Sequence, residues 1–389
     1  MNNIKKNESE MKILFVIEMF DNHNGTSISA QRYATELRKR GHEVKILTTG
    51  NPDPNRFVVP VYHLPLVDGI AQKHGFQYAQ PEEKVIREAL EWCDVAHCYM
   101  PFGLEIATKK MAEKMGKPCT AAFHVQPENV TATFSMQNVK WVNSIIYSSF
   151  NKMFFKEFKR IHCPSRFIAD YLQEHGYTSK MHVISNGCPS EFHWHKCSKP
   201  SWCADKFVVL MVGRLSPEKH QDIILDAVRH SAYESQIQVI LVGTGLSEQK
   251  LRKRAEKLSN PPRIGFMSDQ ELMDALGYAD LYVHAGEVEL ESLSCLEAMS
   301  CGLVPLISDS PLSATPQFAL DERSLFKHGN PQALVKKLDY WIEHPEIRKS
   351  MGKKYAQHAK QYNLSNSVAR FEKMLQEEIA EHETLSKKN

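Results

Sequence analysis

LYVHAGEVELESLSCLEAMSCGLVPLIS, residues 281–308, reads as strand, helix and strand in close succession. LYVHA and VPLIS are short unbroken apolar runs, and the residues from about Ser292 to Cys301 have helical character. A continuously apolar strand, rather than an alternating one, belongs to a sheet covered on both faces. Two such strands joined by a helix run parallel.

The same alternation extends upstream. FVVLMVGRL (207–215), IQVILVGTG (237–245) and RIGFM (263–267) read as strands, with helices expected over 221–231, 247–258 and 269–278. The pattern breaks at FHWHKCSKPSWCAD (192–205), a polar stretch with Pro200 and no period, where a domain boundary is expected. Before the break it runs again. KILFVIE (12–18) leads through the loop DNHNGTS to a helix from Ser29 to Arg40, and EVKILTT (43–49), FVVPVYHL (57–64), DVAHCYM (94–100), CTAAFHV (119–125), IHCPS (161–165) and HVISN (182–186) follow. The expected architecture is therefore α/β, with two Rossmann-like doubly wound domains over 1–195 and 196–365. A C-terminal helix over 366–389 is able to cross back to the first. Ligands of such sheets bind outside the carboxyl ends of the strands, so two domains would present those ends across a cleft.

Composition excludes several classes. With 389 residues, 42% of them hydrophobic and 24% charged, and a net charge of +2, the chain is neither a nucleic-acid binder nor a highly acidic protein. Residues 1–200 carry 25 Lys/Arg against 20 Asp/Glu, which weakly favours an anionic partner on the first half. Nine cysteines without a C-x-x-C pair read as reduced core residues of a cytoplasmic protein, and no metal-binding constellation stands out. No apolar run reaches the roughly 18 residues needed to span a bilayer, and the run from Met11 to Met19 reads as a strand and not as a signal peptide. Membrane contact would be peripheral.

The chemistry-bearing motifs fall just after strands. GRLSPEKH (213–220) places Gly213 at a turn, with Arg214 and Lys219 five residues apart, one a planar fork and the other a mobile point charge. Such a loop suits a diphosphate, or is simply a solvated basic loop. Glu289 lies before the helix of the quoted stretch and Glu297 within it; eight helical steps would separate them by about 12 Å. Between them lies the helix N-terminus, an anion-attracting end. An N-terminal charge favoured by the helix dipole is a sound alternative for Glu291 and a poor one for Glu297, which sits among apolar residues. VGTGL (242–246) is a lone Gly-x-Gly that could serve a tight turn alone. Gly25, in the first loop, would let a phosphate or sugar approach the backbone. His124 ends a strand and is either a cleft residue or structural. Over 150–161, FNKMFFKEFKRI, a helical plot gathers Lys152, Lys156, Lys159 and Arg160 on one side, as for an amphipathic helix on an anionic membrane or one packed on the sheet.

With these residues in view, the chain resembles the retaining GT-B glycosyltransferases of the glycosyl-transferase 4 type, the large family that includes glycogen, sucrose-phosphate and bacterial glycolipid enzymes. The resemblance runs through RGHEVKILT, DVAHCYMPF, the strand to His124, CPSRFIADYL, HVISNG, GRLSPEK, VGTG, the block from YADLYVHAG to VPLIS, and SLFKHGNPQAL. It implies that Arg214 and Lys219 hold a donor diphosphate, that Glu297 binds ribose, that Glu289 lies by the donor sugar at the reacting face, and that His124 contacts the sugar. It further implies that Gly25 approaches the donor phosphate or acceptor, with Gly213, Leu290, Ser292 and Leu293 completing the donor side. The chain departs from the family at His220, where Gly is frequent, at Ala285-Gly286 in place of Pro-Ser, at Leu290-Glu291-Ser292 in place of Gly-Phe-Gly, and at Gly25-Thr26, where two glycines are usual. These changes leave the diphosphate and ribose positions intact and the donor sugar open.

The variant VELESLSCLEAMSCG resembles the bacterial diacylglycerol glucosyltransferase branch. That implies metal-independent, retaining transfer of a hexose from UDP-glucose or UDP-galactose, without a cofactor, to a lipid such as diacylglycerol, on the inner face of the cell membrane. A soluble sugar or polysaccharide precursor is the alternative acceptor, and an inactive nucleotide-sugar-binding scaffold the alternative class.

Overall fold

The computed structural model describes residues 10–62, 78–132 and 136–387. The chain divides into two compact units. The first comprises Met1–Pro127, Val139–Gly187 and Leu364–Asn389; the second comprises Glu128–Asn138 and Cys188–Asn363.

In the first unit the strands are β1 (Lys12–Val16), β2 (Glu43–Thr48), β3 (Arg56–Val58), β4 (Val61–Tyr62), β5 (Tyr78–Ala79), β6 (Val95–Cys98), β7 (Cys119–Ala122), β8 (Arg160–Cys163) and β9 (Lys180–Val183). Seven of them form a parallel sheet in the order β3-β2-β1-β6-β7-β8-β9, while β4 and β5 make a separate antiparallel pair. The central strands β6, β7 and β8 are buried at every residue, including the polar His97, Thr120, Arg160 and His162. The stretch FVVPVYHL is not one strand. Pro60 supplies no N–H to a ladder, β3 ends at Val58 and the chain turns to a second partner at Val61; His63 and Leu64 lie outside the described residues.

The C-terminal helix Leu364–Ser386 packs in this unit. Phe371 is fully buried against the rings of Phe15, Tyr33, His97 and His162. The helix is also tied by charge: Arg160 donates to Glu378 at 2.6 Å and to Glu381 at 2.6 Å. This revises the reading of 150–161. The segment is not a single amphipathic helix, because the helix Lys140–Met153 stops, a single 3₁₀ turn spans Phe155–Glu157, and β8 begins at Arg160. Phe154, Phe155 and Phe158 are buried, Lys152, Lys156 and Lys159 are exposed, and Arg160 is buried with its acids. Arg160 therefore belongs to the packing of the last helix. The helical plot failed here because the apolar residues fill a turn between two elements, where the 100° period has no meaning.

The second unit holds β10 (Phe207–Val212), β11 (Ile237–Val242), β12 (Arg263–Gly265), β13 (Leu281–His284), β14 (Val288–Glu289), β15 (Pro305–Ser308), β16 (Leu312–Ser313) and β17 (Leu325–Phe326). Its main sheet is parallel, in the order β12-β11-β10-β13-β15-β17. The order reverses between β10 and β13. The loops leaving their carboxyl ends part to opposite sides there, opening the crevice in which doubly wound sheets take their ligands. None of the nine cysteines is in a disulfide, and eight of them are buried.

Candidate functional site

The loop after β10 carries Gly213 to His220, and the loop after β13 carries Ala285 to Ser292, so the two motifs singled out above meet at the switch point. Glu289 does not sit in open loop. It lies in β14, paired with Ser313 of β16, and its carbonyl accepts the N–H of Ala314 at 2.8 Å. This small ladder aims the Glu289 carboxylate at Lys219, with which it forms a direct ion pair. His284, at the end of β13, adds its Nε2 at 3.1 Å from Glu289 Oε1. Burial works against the charge on Glu289, but Lys219 and then His284 outweigh it and hold the carboxyl at about 2.

Arg214 is half exposed and is held by Glu218, whose Oε1 accepts from the guanidinium at 2.9 Å and from Ser216 Oγ at 2.6 Å. The carbonyl of Arg214 accepts from Gln221 at 2.8 Å. Below this loop lies VGTG. Gly213 donates to Val242 O at 2.9 Å, Leu215 to Thr244 O at 2.9 Å, and Ser247 to Leu215 O at 2.9 Å. A Cβ on Gly243 would stand 2.1 Å from Gly213 O, and one on Gly245 would stand 2.2 Å from Leu215 O, both at positive φ. The two glycines are thus required by backbone packed on backbone, and their effect on the site is to seat the loop that bears Arg214. Gly243→Ala is expected to destabilise the protein by about 1–3 kcal/mol through the forced clash and φ of +143°, readable as a lower urea midpoint.

The helix Leu293–Ser300 starts from the N-cap Ser292, whose hydroxyl accepts from Cys295 N at 3.3 Å and also lies 3.3 Å from His284 Nδ1. Glu297 is the fifth residue of that helix and is buried, as are Glu291 and Ser292; Leu290 and Leu293 are partly exposed beside them. In the first unit, Gly25 opens the helix Gly25–Lys39 behind the N-cap Asn24, with nothing near its missing Cβ. His124, two residues past β7, is buried. It stacks on Tyr99 at 5.5 Å and meets the edge of His162, and burial, then His162, lower it to about 3, so the ring is neutral.

Four features escaped the sequence reading. Glu287 is buried and accepts from Gln137 at 2.9 Å and Asn138 at 2.9 Å, with His220 and His328 against the same carboxylate. Hydrogen bonds from His220 first, then His328, hold it far below the usual carboxylate range, and Glu287 in turn raises His220. His220 has φ +52°, the one left-handed non-glycine among the described residues, at the position where a glycine is frequent. In the first unit, Glu18 and Glu105 are buried acids. Burial raises Glu18 to about 7 against the N–H of Leu104, and Glu105 well above its ordinary value. A charged residue ending the apolar run KILFVIE was the one local signal for Glu18.

Comparison with known proteins gives two family matches: residues 23–192 match Glycosyltransferase Family 4 and residues 197–374 match Glycosyl transferases group 1. The chain is 22% identical to the alpha-monoglucosyldiacylglycerol synthase of Streptococcus pneumoniae, covering 77% of this chain and 71% of that protein. It is 25% identical to the GDP-mannose-dependent alpha-mannosyltransferase of Mycolicibacterium smegmatis, covering 77% and 79%. Among solved structures, Anabaena Alr3699/HepE in complex with UDP and glucose is 16% identical over 95% of this chain and 100% of that one, with a TM-score of 0.73, a likeness of fold.

Proposed function

The chain belongs to the GT-B glycosyltransferases, a group 1 half following a Family 4 half, and from that premise we propose that it moves a hexose from UDP-glucose or UDP-galactose to a lipid hydroxyl, such as that of diacylglycerol, with retention of configuration. The observation that carries the reading is the Lys219–Glu289 pair at the β10/β13 switch point, with Arg214 on the same loop. An incoming diphosphate competes with Glu289 for Lys219. Once Lys219 turns to the phosphates, Glu289 is left to accept hydrogen bonds from sugar hydroxyls, with His284 still beside it. Arg214, Lys219 and the N-terminus of the helix Leu293–Ser300 then face the charge that grows on the departing diphosphate. Gly213, Leu290, Ser292 and Leu293 line the donor's path, and no cofactor or catalytic metal is invoked.

A lipid acceptor is supported by the relative that makes a glucosyldiacylglycerol and by the surface of the helix Lys140–Met153, where Trp141, Ile145 and Met153 are 68%, 57% and 56% exposed beside Lys152 and Lys156. Apolar side chains flanked by lysines suit a peripheral site on an anionic, cytoplasmic membrane face. No helix among the described residues is long and apolar enough to cross a membrane.

Turnover of radiolabelled UDP-glucose, UDP-galactose and GDP-mannose, with vesicles carrying diacylglycerol or a sterol and separately with soluble sugars, tests the proposal. Label passing from a UDP-hexose into lipid, with the donor's anomeric configuration kept in the product, is the expected result. Label only in water-soluble product removes the lipid acceptor, transfer from GDP-mannose alone removes the UDP-sugar, and no transfer removes the activity. Glu297→Ala, by removing a carboxylate suited to the ribose diol, is expected to weaken donor binding by roughly 10–150-fold, the worth of a charged hydrogen bond, with calorimetric titration of the UDP-sugar as the measurement.

A further inference from the structure

His220, Glu287 and His328 come from three loops of the C-terminal unit, after β10, β13 and β17, and their ligand atoms all lie within 4.8 Å of one another. Glu287 is buried and the two histidines are half-buried. His220 Nε2 stands 3.3 Å from Glu287 Oε2, and His328 Nε2 stands 3.5 Å from Oε1. Both contacts are longer than the roughly 2.7–2.9 Å of the shortest charge-assisted hydrogen bonds, while still drawing both rings onto the Glu287 carboxylate. The two imidazoles approach different oxygens of the one carboxylate, and the ligand atoms of the three residues lie close enough to share a single ion with bonds of about 2.0–2.2 Å.

The surroundings orient these groups as ligands. Each oxygen of Glu287 also accepts one amide N–H, Oε2 from Gln137 and Oε1 from Asn138, both at 2.9 Å, which fixes the plane of the carboxylate. His328 is held at its far side, with Nδ1 2.9 Å from Ser308 Oγ and its main-chain N donating to Asp309 at 2.6 Å, so Nε2 faces Glu287. His220 reaches the carboxylate from a left-handed backbone that a β-carbon adopts only at a cost. We propose that His220, Glu287 and His328 form a binding site for a first-row divalent transition-metal ion, Zn²⁺ or one of similar preference, distinct from the Lys219–Glu289 pair. Two imidazoles with one carboxylate suit such ions better than Mg²⁺ or Ca²⁺, which prefer oxygen. The ion clamps three loops at the carboxyl end of the sheet. Since His220 follows Lys219 and Glu287 precedes Glu289 by two residues, it steadies both segments that carry the pair.

The test is one of binding and does not depend on the transferase reading. Full-length protein is stripped with a chelator and titrated with Zn²⁺ by calorimetry and with Co²⁺ by visible absorption, Mg²⁺ serving as control. One ion per chain is expected, with Co²⁺ d–d bands and no thiolate charge-transfer band, which separates this site from the nine cysteines. His328→Ala and Glu287→Gln should each weaken Zn²⁺ binding by more than the roughly 10–100-fold that outer-shell changes cost. His220→Gly should do the same in a chain that stays folded, because glycine takes φ +52° without strain; its circular dichroism and urea midpoint establish the folding. Absence of saturable one-per-chain binding, thiolate absorption in the Co²⁺ form, or wild-type affinity in a folded His220→Gly protein would overturn the site.

Discussion

Lys219→Ala is expected to lower kcat for sugar transfer by about 10²–10³, the usual effect of removing one pre-aimed donor from a site where negative charge develops. Lys219 is the cation most firmly placed at the β10/β13 switch point, largely buried and paired to Glu289. Its removal has a second consequence. Glu289 loses the main charge that holds its carboxyl at about 2, leaving His284 as its partner, so the carboxyl rises toward and beyond its ordinary value of 4.5. A carboxylate with a depressed pKa contributes stability above its unfolded value that is lost as pH falls toward the folded one. In the native chain that loss falls between about 4.5 and 2; in Lys219→Ala that acid-side loss disappears, and once the carboxyl stands above 4.5 the sign reverses, with stability falling as pH rises from 4.5 through the new value. The folding cost can be separated from the catalytic one. A Lys219→Met/Glu289→Gln double variant removes both charges and should recover stability relative to Lys219→Met, since breaking one half of a buried pair costs more than removing both. It should recover no activity. Urea titrations at several pH values and steady-state kinetics on the three proteins check this; full turnover in a folded Lys219→Ala protein would remove Lys219 from the site.

Phe371→Ala should destabilise the protein by about 3–5 kcal/mol, the range for deleting a fully buried aromatic ring. Phe371 lies in the C-terminal helix, yet its ring centre is 4.7 Å from His97, 5.2 Å from Tyr33, 5.6 Å from His162 and 6.0 Å from Phe15, in the core of the N-terminal unit. Residues of β1, β6 and β8 share that contact, so the loss should appear as a lower urea midpoint and as loosened packing of the sheet around them. The ion pairs of Arg160 with Glu378 and Glu381 and of Arg40 with Glu372, and the 3.2 Å contact of His42 Nε2 with Glu372, tie the same helix. A shift below 1 kcal/mol would show that the helix can detach without cost to the sheet.

Much of the fold was legible because its signals are local. Apolar runs alternating with helical spacing, and glycines just past strand ends, are set by neighbours within a few residues. The same is true of the type of chemistry at each strand end: a cation pair five residues apart at Arg214 and Lys219, and two glutamates eight apart at Glu289 and Glu297. What failed locally was a period read across a break, as at 150–161, and an apolar run read through a proline, as at 57–64.

The sequence by itself determined the doubly wound α/β class, the strand ends on which the side chains proposed to be functional sit, and the family of chemistry those side chains resemble. Only the tertiary structure decided which of them meet. Lys219 and Glu289 are 70 residues apart and touch because β10 lies next to β13, with β11 and β12 on its other side. His220, Glu287 and His328 converge because the loops of β10, β13 and β17 end on one side of one sheet. Gln137 and Asn138, from a segment far upstream, complete the same cluster within the C-terminal unit. Strand order is chosen by the burial of whole apolar faces, a sum over the entire sheet, and no spacing along the chain encodes it.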